Sequence, residues 1–352
     1  MLTIEALPAE DGDCLWIEWQ ASDGLHRMVV DGGRTGRALR SKLTSMDDPH
    51  LDLLVCTHID MDHIGGLLAL FRNPPPDFRV DDIWFNGRPQ VLPPQPRDQL
   101  GVRQGEELSD LLMPRGPAWN AAFGGRAVAT TAGGTLPAVT LADLTITVLS
   151  PGPDQLVDLA QKWKSVLDED EQGAPDQLGR EAGPLAALVQ ARYSPDRTVA
   201  NASSIALMLE HADGGRILLG ADAKAEVLLA GLIRFQPTDR VRVDLCKLPH
   251  HGSKANLSPD LLSKLDCRHW LISTSGAGRP RHPDRTTLAR ILARGHGPTL
   301  WFNYNGPETQ EFGLPSVRLD WNHSSELPPP DRPGITIGVG KGTVQRVATS
   351  AP

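Results

Sequence analysis

The chain has 352 residues, 40% hydrophobic and 22% charged, a globular balance with enough length for one large α/β domain or two ordinary ones. Its 35 Lys and Arg against 43 Asp and Glu give a formal charge of −8, which excludes a protein that holds nucleic acid by overall basicity. No run reaches the ~18 apolar residues of a membrane span, and Met1–Pro8 lacks the basic and apolar regions of a secretory leader, so a cytoplasmic protein with no membrane partner is expected.

Short strand-like runs open the sequence at Thr3–Leu7, Cys14–Trp19 and Arg27–Val30, the last ending in Asp31-Gly32-Gly33. Residues 37–46 read as a helix, and Leu51–Cys56 as a strand buried on both faces. That strand runs into Thr57–His63, after which Ile64–Phe71 resumes as an apolar helix, the geometry that brings side chains to the carboxyl edge of a sheet. Nine prolines then crowd the stretch from Pro74 to Pro117, interrupted by a strand-like Asp82–Asn86. A polar stretch, Gln161–Arg197, holds the acidic run Asp168–Glu171. Both read as loop-rich insertions, about 73–135 and 155–200, over one scaffold spanning 1–327.

The second half alternates strands and helices. Ile205–Leu209 and Arg216–Leu219 flank an Asp213-Gly214-Gly215 turn, a hairpin signal. Ala223–Phe235 reads as a helix, Val241–Leu248 as a strand, and Ser258–Leu265 as a helix with Ser258 and Pro259 at favourable start positions. Trp270–Ser273 and Thr299–Asn303 read as strands around a Thr286–Ala293 helix, and 328–352 as a C-terminal strand, Ile335–Val339, with a tail. Cys14, Cys56, Cys246 and Cys267 are far apart with no CxxC pair, so buried reduced thiols are expected. Gly338–Thr343 fails the phosphate-loop pattern because Gly, not Ser or Thr, follows Lys341.

His58, Asp60, Asp62 and His63 fall within six positions at a strand end. Two imidazoles and two carboxylates on one edge form a hard-to-borderline metal site, and Gly65-Gly66 let the loop turn closely into the next helix. The segment Thr57–Gly66, with Asp31 before it and Asp222 and Pro249-His250-His251-Gly252 after it, resembles in order the motifs of the metallo-β-lactamase superfamily. The resemblance implies a four-layer αβ/βα sandwich holding one or two divalent ions, Zn²⁺ or Mn²⁺. It assigns His58 and Asp60 to a first metal position, Asp62 and His63 to a second, Asp222 to the bridge, and His251 ahead of His250 as the last ligand. The family's third-motif histidine is missing, and Asn201 stands in its place, so Asp31 and Asn201 are expected around the ions and the first position is oxygen-rich.

Asp60 in place of a histidine and the His250–Ser253 loop narrow the resemblance to the hydrolase domain of bacterial DNA-uptake channel proteins, without their channel, and to phosphorylcholine esterases. The implied activity is a metal-dependent hydrolase, a phosphodiesterase or nuclease, that uses a metal-activated hydroxide, with Asp62 orienting the water and His250 protonating the leaving group. Ser253, Lys254 and His282 are expected on the substrate side, and eleven Lys and Arg against four acids from Arg240 to Arg294 suggest a basic stripe for a phosphodiester, nucleic acid included. Two alternatives stand beside this reading: a hydrolase of another ester, lactone or amide, and a catalytically weak module that binds a protein partner in a bacterial multi-protein system.

Overall fold

The computed structural model describes residues 2–92, 103–165, 181–278 and 281–348. The acidic run Asp168–Glu171 lies outside them. Among the described residues fifteen strands form two sheets: β1 (Leu2–Ala6), β2 (Leu15–Ala21), β3 (Gly24–Val30), β4 (His50–Val55), β5 (Arg79–Trp84), β6 (Ala138–Leu141), β7 (Leu144–Ser150), β8 (Ala206–His211), β9 (Arg216–Leu219), β10 (Val241–Lys247), β11 (Leu265–Ile272), β12 (Thr299–Phe302), β13 (Ser324–Glu326), β14 (Ile335–Gly340) and β15 (Thr343–Arg346). The first sheet runs β15-β14-β1-β2-β3-β4-β5 and the second β13-β12-β11-β10-β9-β8-β7-β6. Strands β3 to β5 run parallel to one another, as do β9 to β13, and the remaining pairings are antiparallel.

The period of two along each strand sorts side chains between layers. In β2, Leu15, Ile17 and Trp19 enter the core between the sheets while Trp16 faces the helices; in β8, Leu207 and Leu209 point inward and Met208 outward. The outer face of the first sheet is covered by helices Arg37–Thr44, Met61–Arg72, Arg103–Leu112 and Pro153–Ser165, whose Leu39, Leu67, Leu108 and Trp163 join one apolar cluster. The second sheet is covered by Ala225–Phe235, Pro259–Lys264 and Arg285–Ala293 through Leu228, Leu261 and Leu288. The result is the four-layer αβ/βα sandwich.

Several elements differ from the sequence reading. Helices occupy 103–112 and 153–165 within the stretches read as loop-rich, and β6 and β7 extend the second sheet. The helix expected to include Leu265 ends at Lys264 because Leu265 opens β11 against Val241. The Gly338–Thr343 segment forms the β14–β15 hairpin, and β14 pairs with β1 along its whole length, so the C-terminal strand is built into the first sheet. The four cysteines are free, with Cys14, Cys56 and Cys246 buried and Cys267 half-buried.

Candidate metal centre

Five strands end at one edge and deliver the polar residues there: Asp31 follows β3, Thr57–His63 follow β4, Asp222 follows β9, Pro249–Gly252 follow β10 and Ser273 follows β11. The turns are sharp. Asp31, Ala221, His250 and His251 all have positive φ, between 45° and 61°, a conformation that costs a non-glycine residue about 1–3 kcal/mol and persists only where the surroundings over-determine it. The helix Met61–Arg72 approaches the Asp31–Gly33 turn backbone to backbone. A Cβ on Gly66 would lie 2.0 Å from the Gly32 carbonyl oxygen, and the Gly66 N–H donates to Gly33 O at 2.7 Å.

Four histidines are held by their Nδ1 atoms. His63 Nδ1 donates to Asp31 Oδ2 at 2.7 Å. The Thr57 hydroxyl also donates to Asp31 Oδ2, at 2.7 Å, which leaves its oxygen to accept from His58 Nδ1 at 2.9 Å. His250 Nδ1 donates to Asn256 Oδ1 and His251 Nδ1 to the Ser273 carbonyl, both at 2.9 Å. With Nδ1 as the donor, the lone pair of each neutral ring sits on Nε2.

Those Nε2 atoms converge on three carboxylates around Asp222, whose Oδ2 lies 3.6 Å from His251 Nε2 as well. His58 Nε2 lies 3.5 Å from Asp60 Oδ2 and 3.9 Å from Asp222 Oδ2, and His250 Nε2 lies 3.6 Å from the same Asp222 oxygen. On the other side His63 Nε2 and His251 Nε2 are 3.2 Å apart. Asp222 Oδ1 stands 3.4 Å from His63 Nε2, and Asp62 Oδ2 is 3.3 Å from His251 Nε2 and 3.7 Å from His63 Nε2. His58 Nε2 and Asp222 Oδ1 are buried without a hydrogen-bond partner among the described residues. Orphaned donor atoms aimed at one another, in a mixed imidazole and carboxylate set, fit divalent ions.

The charges point the same way. Burial disfavours a cationic His63, yet Asp222, Asp62 and Asp31 outweigh it and raise its pKa well above the ordinary value. His251 is likewise pushed up to about 10, burial being overcome by Asp222 and Asp13. Asp222 is held well below the usual carboxylate range despite its burial, by His63, His251 and His250. The site is thus a concentration of negative charge that protons satisfy where cations are absent.

The remaining sequence-predicted residues fall into three places. Asn201, in a short helix (Val199–Ala202), donates through Nδ2 to Asp196 Oδ2 at 2.6 Å, with the same Nδ2 3.2 Å from His250 Nδ1, and keeps Oδ1 buried without a partner among the described residues. His282 is 6% exposed, its ring edge-on to His250 at 5.0 Å, and both of its nitrogens lack hydrogen-bond partners among the described residues. Burial and the neighbouring His250 and His251 push its pKa well below the ordinary value, so it is neutral. Ser253 and Lys254, expected to offer their N–H groups, hydroxyl and ammonium to a substrate, are engaged internally instead. Ser253 N donates to His250 O, Lys254 N to Asp284 Oδ2, and Lys254 Nζ to Glu181 Oε1, while the Ser253 hydroxyl oxygen accepts from Ala255 N.

The basic stripe is also largely consumed by the fold. Arg240, Lys264 and Arg294 donate to backbone carbonyls, Arg242 and Arg285 pair with Asp244 and Glu311, and Lys247 is buried against Asp13. Arg279 lies outside the described residues. Sequence reasoning missed Asp13, Asp196, Asn256 and Lys247. Asp13 belongs, with His63, Asp222 and His251, to a buried group whose ligating atoms lie within 4.8 Å of one another. Asp196 accepts from Thr198, Asn201 and Asn256, bracing the amide that holds His250. A turn composition, Asp11-Gly12-Asp13 before β2, was the only local signal for Asp13.

Among the described residues no helix is long and apolar enough to cross a membrane. No curated protein matches the sequence significantly. Among solved structures, a long form RNase Z from yeast is similar at 8% identity and a TM-score of 0.40, with all of this chain and 50% of that one covered, so the chain spans about half its length. Residues 8–121 match the model of the metallo-beta-lactamase superfamily, a segment that contains Asp13, Asp31 and the His58–His63 loop. That match and the paired αβ layers identify the architecture as the metallo-β-lactamase sandwich.

Proposed function

We propose that the chain is a metal-dependent hydrolase acting on phosphodiesters, nucleic acid among them. The observation that carries the reading is the convergence of four Nε2 atoms, each ring fixed through Nδ1, on Asp60, Asp62 and Asp222. His58, Asp60, Asp222 and His250 would hold a first ion, and Asp62, His63, Asp222 and His251 a second. His250 then replaces the missing third-motif imidazole and is a ligand in place of a proton donor, while Asn201 supports it through Asp196 and Asn256. Two carboxylates in each set suit Mn²⁺ as well as Zn²⁺. Such ions supply Lewis acidity and a water acidified towards neutral pH, the chemistry of phosphodiester cleavage.

The chain's own groups divide the remaining work. Asp31 fixes both rings of the His58–His63 loop, directly and through Thr57. Asp62 would help hold the second ion, and its carboxylate could also accept a hydrogen bond from a water beside it. His282, neutral and beside His250, is the group free to hydrogen-bond the substrate. The narrower likeness to DNA-uptake hydrolase domains and a cytoplasmic location belong to the same proposal.

The test is hydrolysis of bis(p-nitrophenyl) phosphate by metal-stripped protein titrated separately with Mn²⁺ and Zn²⁺, beside Asp62→Ala. Metal-dependent turnover lost in the variant is expected. Folded, metal-loaded protein without turnover would refute the phosphodiesterase reading and favour another ester, lactone or amide, or the partner-binding module.

A further inference from the structure

Lys247, the last residue of β10, is 0% exposed, and Asp13 is 1% exposed. Their side chains form an ion pair at the back of the centre. A buried lysine–aspartate pair is often no more stable than an apolar pair of similar volume, so stability alone does not account for its presence beside the centre. The Asp13 carboxylate has two sides. Oδ2 meets the Lys247 ammonium, and Oδ1 faces His251 Nδ1 at 3.5 Å. His251 Nδ1 is the nitrogen that donates to Ser273 O, and the Ser273 hydroxyl in turn donates to Gly12 O at 3.2 Å. The Asp11–Asp13 turn, Ser273 and Lys247 therefore enclose the back of the His251 ring while its Nε2 faces Asp62, His63 and Asp222.

We propose that Asp13 and Lys247 are a positioning pair for His251, in which Asp13 braces the ring from its Nδ1 side and Lys247 offsets the added negative charge. This inference rests on the metal-centre reading above. The rival assignment makes Asp13 a ligand, since its carboxylate lies within 4.8 Å of the ligating atoms of His63, Asp222 and His251. Two features favour the brace: Asp13 meets the imidazole on the side away from the converging Nε2 atoms, and its other oxygen is occupied by the ammonium. A carboxylate that supports a metal-binding histidine in this way typically accounts for about 10–100-fold in metal affinity.

The experiment compares full-length wild type, Asp13→Asn, Lys247→Met and the double variant. It measures Zn²⁺ and Mn²⁺ affinity and stoichiometry by chelator competition, thermal midpoints in EDTA, and the His251 tautomer from imidazole ¹⁵N shifts. Asp13→Asn leaves an unpaired ammonium behind the centre and is expected to weaken metal binding about 10–100-fold. The double variant keeps an acceptor facing His251 Nδ1 and removes both charges. It is expected to retain wild-type stoichiometry, the Nδ1–H tautomer and an affinity within about tenfold of wild type, with a midpoint above that of either single variant. A double variant that binds metal no better than Asp13→Asn would make Asp13 a ligand and overturn the inference, as would midpoints that simply add. Wild type that binds no divalent ion would instead refute the metal-centre reading, and the inference with it.

Discussion

Asp31→Asn tests the orientation of the centre without emptying any space. Asp31 is 0% exposed and accepts three hydrogen bonds, from Thr57 N, the Thr57 hydroxyl and His63 Nδ1, each at 2.7 Å. An asparagine can keep the bond to Thr57 N through Oδ1, but its NH₂ then faces two donors. The hydroxyl can rotate; the imidazole cannot. His63 must accept at Nδ1 and carry its proton on Nε2, the atom that faces Asp222 and His251. One charge-assisted bond is lost, worth about 1.5–3 kcal/mol, and metal affinity falls about 10–100-fold. Denaturant unfolding in EDTA measures the first, chelator competition the second, and long-range ¹H–¹⁵N correlations report the His63 tautomer directly. An Asn variant that binds metal within twofold of wild type with His63 still protonated at Nδ1 would refute the orienting role of Asp31.

Metal affinity should climb with pH. His251 in the metal-free fold is raised to about 10, against ~6.5 in the unfolded chain, and His63 is raised as well, so ligation must displace protons at neutral pH. Between pH 6.5 and 10 the affinity should rise about tenfold per unit for each proton released; isothermal titration in buffers of different ionisation enthalpy counts the protons, and a flat profile would contradict the charge assignment. The metal-free fold should follow the opposite course. The stabilisation from the raised His251 is fully present below about pH 6.5 and is lost as pH rises through 10, which urea midpoints across that range would show. In Gly12→Ala the new Cβ would fall 1.6 Å from the Asp62 carbonyl oxygen, so the loop must shift, at about 1–3 kcal/mol and with loss of metal binding in a chelator titration. Lys254→Ala, whose half-buried ammonium pairs with Glu181 and faces Asp284, should alter KM for bis(p-nitrophenyl) phosphate by less than about fivefold, the equivalent of the about 0–1 kcal/mol such pairs contribute.

What could be read in the sequence was local. The apolar run before Thr57 and the helix after it placed His58, Asp60, Asp62 and His63 on a strand-to-helix loop, and the Asp213–Gly215 turn between two apolar runs gave the β8–β9 hairpin. The helices at 103–112 and 153–165 were hidden by flanking proline and by polar faces, although Leu108, Leu112, Leu159 and Trp163 repeat at helical spacing and are buried. Strand β7 carried an alternating Thr145-Ile146-Thr147-Val148 signal that stood in a stretch dominated by turns.

The supports of the centre had no such signal because each comes from a separate element: Asp31 reaches Thr57 across 26 residues, Ser273 reaches His251 across 22, and Asp13 meets Lys247 from the opposite sheet. A motif lists the atoms that can face an ion, whereas the proton on each ring is assigned by whatever accepts from its other nitrogen. Here those acceptors are a carboxylate, a hydroxyl, an amide and a backbone carbonyl. Four different groups give four rings the same tautomer. His250 and His251, adjacent in sequence, therefore present the same Nε2 edge to Asp222 Oδ2, each at 3.6 Å, and differ in their other neighbours: Asn256 behind His250, and Ser273, Asp62 and His63 around His251.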